Sequence, residues 1–336
     1  MKFRARFAIT GLIMAAAFVA VTTTARAAEY TIKWGLVTRG DMQHKFGDKL
    51  NEVLQKATNG RVEVKTFPGG QLGAPPAILE GVQLGTIEAY AIPADFYTGA
   101  DPRFGLFSIP FLFRDAAHAN KTLADPELNA YILSMAESKG LVGVATRVAA
   151  ESMYFGAKKP LRAISDFKGL KLRVNATPAE RARMGALGAT AVPMGLQEMI
   201  TSLQNGVIDG TMSGISIYTN FNLHTVGKTL LETDDTLLIT FICLSKVWLD
   251  KLPPDLRKIV VDEARKLQPW AEKTSVDEGV ELRKKWKERG GELVRLSAAD
   301  QAELTKRLKP IGAEVTKGNP TLKAFYDKIQ ATAAKY

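Results

Sequence analysis

The chain has 336 residues, 46% hydrophobic and 24% charged, with 45 lysines and arginines against 35 acidic residues and a single cysteine, Cys243. That composition excludes disordered, collagenous and disulfide-stapled classes, since the chain is apolar enough to bury a core and one cysteine cannot close an internal disulfide. The formal charge of +10 admits nucleic acid, a membrane surface or an acidic ligand as partner, depending on where the charges sit.

The first charges belong to an export signal. Lys2, Arg4 and Arg6 precede an apolar run from Phe7 to Val21, and Ala25-Arg26-Ala27 supplies the small residues that a signal peptidase needs. The run is about fifteen residues, short of the roughly twenty that span a bilayer. The expectation is a signal peptide at 1–27, cleaved after Ala27. Removing Lys2, Arg4, Arg6 and Arg26 lowers the net charge to about +6, so nearly half of the basicity is a targeting device. The product is then an exported protein that does not itself span the membrane.

Tyr30 to Gly35 alternates like a strand, and Met42, Phe46, Leu50, Val53 and Leu54 make a helical stripe over Met42 to Lys56. Asn59-Gly60 turns the chain into a second strand, Val62 to Phe67, which ends at Pro68-Gly69-Gly70. An amphipathic helix from Ala77 to Leu84 and a short strand from Glu88 to Ile92 complete a β-α-β-α-β series, the pattern of an open sheet covered by helices. Further strands are predicted at Gly140 to Ala145, Gly169 to Val174, Val207 to Gly210 and Leu237 to Leu244, with helices at Arg181 to Leu187 and Leu196 to Asn205. Pro253-Pro254 opens a long helix that could run to Arg289, kinked at Pro269, where a backbone hydrogen bond is lost. The fold class is therefore α/β, with a second unit beginning near Ala150 and a long helix able to brace both.

Motifs for phosphate, dinucleotide and metal binding are missing, and His44, His118 and His224 are isolated in sequence. Ser213, in Gly210-Thr211-Met212-Ser213-Gly214, lacks the glycine two residues upstream that a nucleophile elbow requires. No cofactor, metal or nucleic-acid partner is expected, because acids are interspersed among the basic residues and aromatics do not interleave with them. Arg173 differs from the other charges: in Leu170-Lys171-Leu172-Arg173-Val174 it sits inside an apolar strand, sharing a face with Lys171. An arginine at the carboxyl end of such a strand can grip a carboxylate with two parallel hydrogen bonds, or it can serve a structural ion pair or face solvent.

Several segments in register resemble the substrate-binding proteins of tripartite ATP-independent periplasmic (TRAP) transporters. They are Thr58 to Val62, Phe67 to Gly73, Ile109 to Phe113, Asp166 to Val174, Ala186 to Ala189, Val192 to Met194, Ser202 to Gly210 and Leu252 to Leu256. The resemblance covers essentially all of the chain after the signal. It implies a two-lobe, type II-like periplasmic binding protein with hinge-crossing strands and a long helix spanning both lobes. Residues 28–150 with about 239–275 would form lobe I, and 151–238 with about 276–336 lobe II. It also implies that the protein is a receptor and not an enzyme, that Arg173 pairs with the carboxylate of a small organic anion, and that the partners are the membrane subunits of the transporter.

Two departures bear on the ligand. Many relatives carry a second arginine where this chain has Met153, seven residues before Pro160, and an asparagine where it has Ser213. Loss of a fixed positive charge argues for a monocarboxylate with an apolar or aromatic body, methionine adding adaptable surface. The cleft is expected to draw Gln71, Asp95 and Phe96 from lobe I, Met153, Tyr154, Asn175, Thr211 and Ser213 from lobe II, and Phe241 near the crossing, with His44 as a further candidate. Each has a plainer reading: Phe96, Tyr154 and Phe241 as core, Gln71 and Asn175 as turn or cap residues, His44 as a surface histidine. The binding component of an ATP-driven importer and an exported hydrolase with a distant Ser/His pair are the rival functions.

Overall fold

Nine strands of the computed structural model, which describes residues 27–175 and 177–336, join in one mixed sheet. The predicted signal as far as Arg26 lies outside the described residues. In chain order the strands are β1 (Tyr30–Gly35), β2 (Val62–Phe67), β3 (Ala89–Pro93), β4 (Leu141–Gly156), β5 (Lys171–Val174), β6 (Thr190–Pro193), β7 (Gly210–Ser213), β8 (Thr229–Ser245) and β9 (Glu292–Arg295). Their spatial order is β2-β1-β3-β8-β4-β7-β5-β6, with β9 beside β8.

The two lobes are the two ends of this sheet. β1 pairs in parallel with β2 and β3, and β5 with β6 and β7, so each end is a small parallel sheet of the kind that β-α-β crossovers produce. β4 and β8, of 16 and 17 residues, connect them. At one end Ala89–Pro93 of β3 pairs with Thr240–Leu244 of β8; at the other Met153–Gly156 of β4 pairs with Gly210–Ser213 of β7. The β4–β8 ribbon has register shifts at Gly143/Ala145, alongside the β3 pairing, and at Val148/Ala150 and Glu151/Met153, between the two end pairings. Each shift leaves a residue unpaired and bends the strand, and the latter two place the bendable part of the ribbon between the lobes. Sequence reading saw only the apolar halves of these strands, Gly140 to Ala145 and Leu237 to Leu244. The polar run Glu232-Thr233-Asp234-Asp235-Thr236 and the bulges hide the rest from any alternation test. The strand predicted at Val207 to Gly210 begins only at Gly210, the preceding residues forming a turn.

The predicted kink is present as a break: one helix spans Pro254–Lys266, Leu267 intervenes, and a second spans Gln268–Glu288 with Pro269 in its first turn. The second, about 31 Å long from its 21 residues, braces both lobes. Its Glu278 accepts the Met42 N–H at 2.8 Å and faces Lys45 at 3.5 Å, both on the first helix. Its Trp286, fully buried, meets Tyr218 edge-on at 6.4 Å in the second lobe. Residues 298–316 pack on the second lobe, but the last helix, Pro320–Ala333, returns to the first, where Phe325 meets Phe107 and Tyr131 and Ala333 O contacts His118 Nε2 at 2.9 Å.

Candidate ligand-binding cleft

Between the lobes lies a cleft of about 1220 Å³, open solvent at its mouth included. Its first-lobe wall contains Val37, Thr38, Asp41, Gln43 and Phe96; its second-lobe wall contains Arg173, Asn175, Leu196, Ser213 and Ile215; the floor is β4 from Arg147 to Glu151 with Leu238 of β8. One face of the Gln268–Glu288 helix, with Ser275, Val276 and Val280, closes a side.

Arg173 emerges as the sequence predicts, from the carboxyl end of β5, flanked in parallel by Val192 and Thr211. It is 3% exposed, and its Nε donates to Met194 O at 3.0 Å. Burial lowers its pKa, while Glu180, Tyr218 and Asp95 pull the other way. No carboxylate among the described residues lies within ion-pair distance of its guanidinium, which faces the cleft. The loop after β5 is fixed from below: Thr177 caps the Pro178–Ala186 helix, and Glu180 Oε2 accepts the backbone N–H groups of Asn175 and Thr177 at 3.1 and 3.2 Å. Thus held, Asn175 Nδ2 reaches across to Asp95 Oδ2 of the first lobe at 3.0 Å. Asp95 also accepts from the Ser108 hydroxyl, and burial, with the nearby Glu180 carboxylate, pushes its pKa up to about 7.

Of the residues predicted for the cleft, Phe96, Arg173, Asn175 and Ser213 line it. The others do not, for separate reasons. Met153 is fully buried on β4 opposite Ser213, its carbonyl accepting from Tyr218 OH at 2.7 Å, so it presents no adaptable surface to a ligand. Tyr154 packs edge-on against Phe167 and points its hydroxyl at Asp235. Thr211 is buried beside Arg173 on the neighbouring strand, and Phe241 sits in an aromatic cluster with Tyr97 and Phe104. Asp95 does not line the cleft but holds Asn175 and adds to the field on Arg173. Gln71 is exposed on its loop, and His44 turns its Nδ1 to the Gly40 N–H at 3.0 Å, with Asp48 beside Nε2.

Arg147 was missed. It is fully buried on β4, opposite Thr240 at the bend of the ribbon. Its Nη1 donates to Val148 O at 2.9 Å and to the Ser275 hydroxyl, but Nε and Nη2 have no partner among the described residues. Burial brings its pKa down to about 10 against the opposing pull of Asp41, Glu278 and Glu272. The sequence did carry a signal, a lone charge in Val144-Ala145-Thr146-Arg147-Val148. The third buried arginine, Arg183, differs from both in having an acid of its own, Asp235 at 3.1 Å.

Residues 35–319 match the family described as bacterial extracellular solute-binding protein, family 7. The chain belongs to that family. Its members are periplasmic receptors of the TRAP type and not enzymes, which sets aside the hydrolase and the ATP-driven importer. The 2,3-diketo-L-gulonate-binding periplasmic protein YiaO of Escherichia coli is 30% identical over 295 residues, 88% of each chain. Among solved TRAP solute-binding proteins, that of Xanthobacter autotrophicus, with bound β-D-galacturonate, is 27% identical at a TM-score of 0.82, covering 90% of this chain and 99% of its own. That of Sulfurospirillum deleyianum, with bound succinate, is 25% identical at a TM-score of 0.84, with 91% and 99% covered. In this receptor no helix among the described residues is long and apolar enough to cross a membrane.

Proposed function

We propose that the protein captures an organic acid between its lobes, with the ligand carboxylate on Arg173, and delivers it to the membrane subunits of a TRAP transporter. One observation carries this reading: a buried guanidinium faces the cleft without a carboxylate partner among the described residues. Burying an unpaired charge costs several kcal/mol, whereas a ligand carboxylate supplies both the counter-charge and two matched acceptors. The acids named for the relatives, diketogulonate, galacturonate and succinate, share that one group.

Phe96, Asn175 and Ser213 complete the proposed site, and Asp95 positions Asn175. Met153, Tyr154, Thr211 and Phe241 form the wall behind it. The lobes are residues 28–150 with about 239–275 and 151–238 with about 276–319, the last helix belonging to the first lobe, and they close by flexing β4 and β8 at their bulges. Closure expels water, so the ion pair with Arg173 strengthens as the dielectric falls. The ligand drives closure only by binding the closed form better than the open one, and the permease discriminates loaded receptor by docking on both lobes of that form. Export after cleavage near Ala27 places the receptor in the periplasm.

A thermal-shift panel of succinate, galacturonate, gluconate and hexanoate tests the reading, since a ligand of the folded state alone raises its melting temperature. A shift with at least one acid, and none with the neutral sugar galactose, is expected. A shift with galactose and with no acid overturns it.

A further inference from the structure

Opposite Arg173, the first-lobe side of the cleft holds a second group of polar atoms that neither the fold nor the carboxylate site explains. Among the described residues Arg147 leaves Nε and Nη2 without partners, and Gln43, 5% exposed, leaves Oε1 without one. Asp41 lies on the same wall, where it caps the Met42–Ala57 helix through the His44 N–H at 3.2 Å, and the Thr38 hydroxyl is beside it. Native proteins leave few buried polar atoms unsatisfied, because each unfilled one has lost its water without gaining a partner. Donors and acceptors unsatisfied in one cavity define the chemistry of what fills it.

We propose that Thr38, Asp41, Gln43 and Arg147 form a hydroxyl-reading half-site, and that the ligand is a polyhydroxylated monocarboxylic acid of the aldonic or uronic type. The inference rests on the carboxylate assignment to Arg173. A hydroxyl both donates and accepts, so a row of them serves the Arg147 donors and the Gln43 and Asp41 acceptors together. A second carboxylate only accepts. It would satisfy Arg147 but leave Gln43 Oε1 unpaired and meet Asp41 and, beyond it, Glu278 as like charges, Lys45 already facing the latter. A bare alkyl chain would leave all of these atoms unsatisfied. Burial raises the pKa of Asp41, and a carboxyl in either protonation state still bonds to a hydroxyl, as acceptor or as donor. The half-site thus favours a monoacid on grounds other than Met153, and a hydroxylated body over an apolar one.

Calorimetry of the full-length exported protein with gluconate, galacturonate, adipate and hexanoate decides the matter, all four being six-carbon acids. The hydroxylated acids are expected to bind at least about tenfold more tightly than adipate and hexanoate, one unpaired buried polar atom being worth that much. Adipate or hexanoate binding as tightly as gluconate or galacturonate overturns the half-site and leaves the carboxylate reading intact. Binding of none of the four overturns both. Gln43→Leu and Arg147→Gln are each expected to narrow the ratio of hydroxylated acid to hexanoate about tenfold. Their ligand-free melting curves show whether either has lost its fold, and Gln43→Leu, in the first turn of the Met42–Ala57 helix, reports if Arg147→Gln has. An unchanged ratio in a folded variant refutes the assignment.

Discussion

Arg173→Met separates a ligand-binding arginine from a structural one. Methionine keeps the unbranched stem and its packing while removing the charge, and a buried charge without a carboxylate gains nothing from folding, so the ligand-free protein should be as stable as wild type or slightly more so. Among the described residues Arg173 uses only Nε, on Met194 O, leaving the two terminal nitrogens for the ligand. Two charge-assisted hydrogen bonds of about 1.5–3 kcal/mol each put the loss of binding near 3–5 kcal/mol, roughly 150- to 5000-fold in Kd. Arg183→Met is the control. It leaves Asp235, itself 1% exposed, buried without its cation, and should cost about 3–5 kcal/mol of folding stability. Calorimetry with the best acid of the panel and urea unfolding of both variants are the assays. If Arg173→Met keeps wild-type affinity, or loses as much stability as Arg183→Met, the reasoning from unpaired buried charge is wrong.

Asp95→Asn tests the carboxyl that joins the lobes. Its pKa of about 7 in the folded protein, against an ordinary 3.8, means that the native state binds more protons than the unfolded one between these values; its contribution is full below about pH 4 and is lost as pH rises through 7. Asparagine mimics the protonated form, so the variant's advantage over wild type should grow by about 1–3 kcal/mol from pH 5 to pH 8 and vanish only below about pH 4, read from urea melts across that range. Gly143→Ala should destabilise by about 1–3 kcal/mol, because a Cβ there would sit 2.5 Å from Leu133 O and 2.8 Å from Phe241 Cζ; urea unfolding checks it. Cys243, fully buried with its thiol pushed up to about 12 by burial, should resist a thiol reagent at pH 8 until the protein is unfolded. Modification at the rate of a free thiol in the native state would contradict that.

The sequence made some of this legible and concealed the rest for physical reasons. Short parallel strands such as Lys171–Val174 carry their apolar pattern within a few residues, so the strand and the odd residue on it, Arg173, could be read directly. Long crossing strands cannot be read that way: in β4 the bulge between Val148 and Ala150 resets which face each side chain takes, and Arg147, one residue before it, has no face that alternation could assign. The first-lobe wall is hidden differently. A cap at Asp41 is visible from the helical stripe that follows, but what the cap faces depends on Arg147 and Glu278, more than a hundred residues away. Three arginines are buried in apolar surroundings, and nothing local tells them apart. Arg183 is answered by Asp235, 52 residues on in sequence, while Arg147 and Arg173 have no such answer among the described residues. A lone arginine in an apolar segment therefore signals only that a counter-group is needed. Whether the chain or a ligand provides it is settled by long-range pairing, and the two buried arginines left without an acid among the described residues both face the cleft.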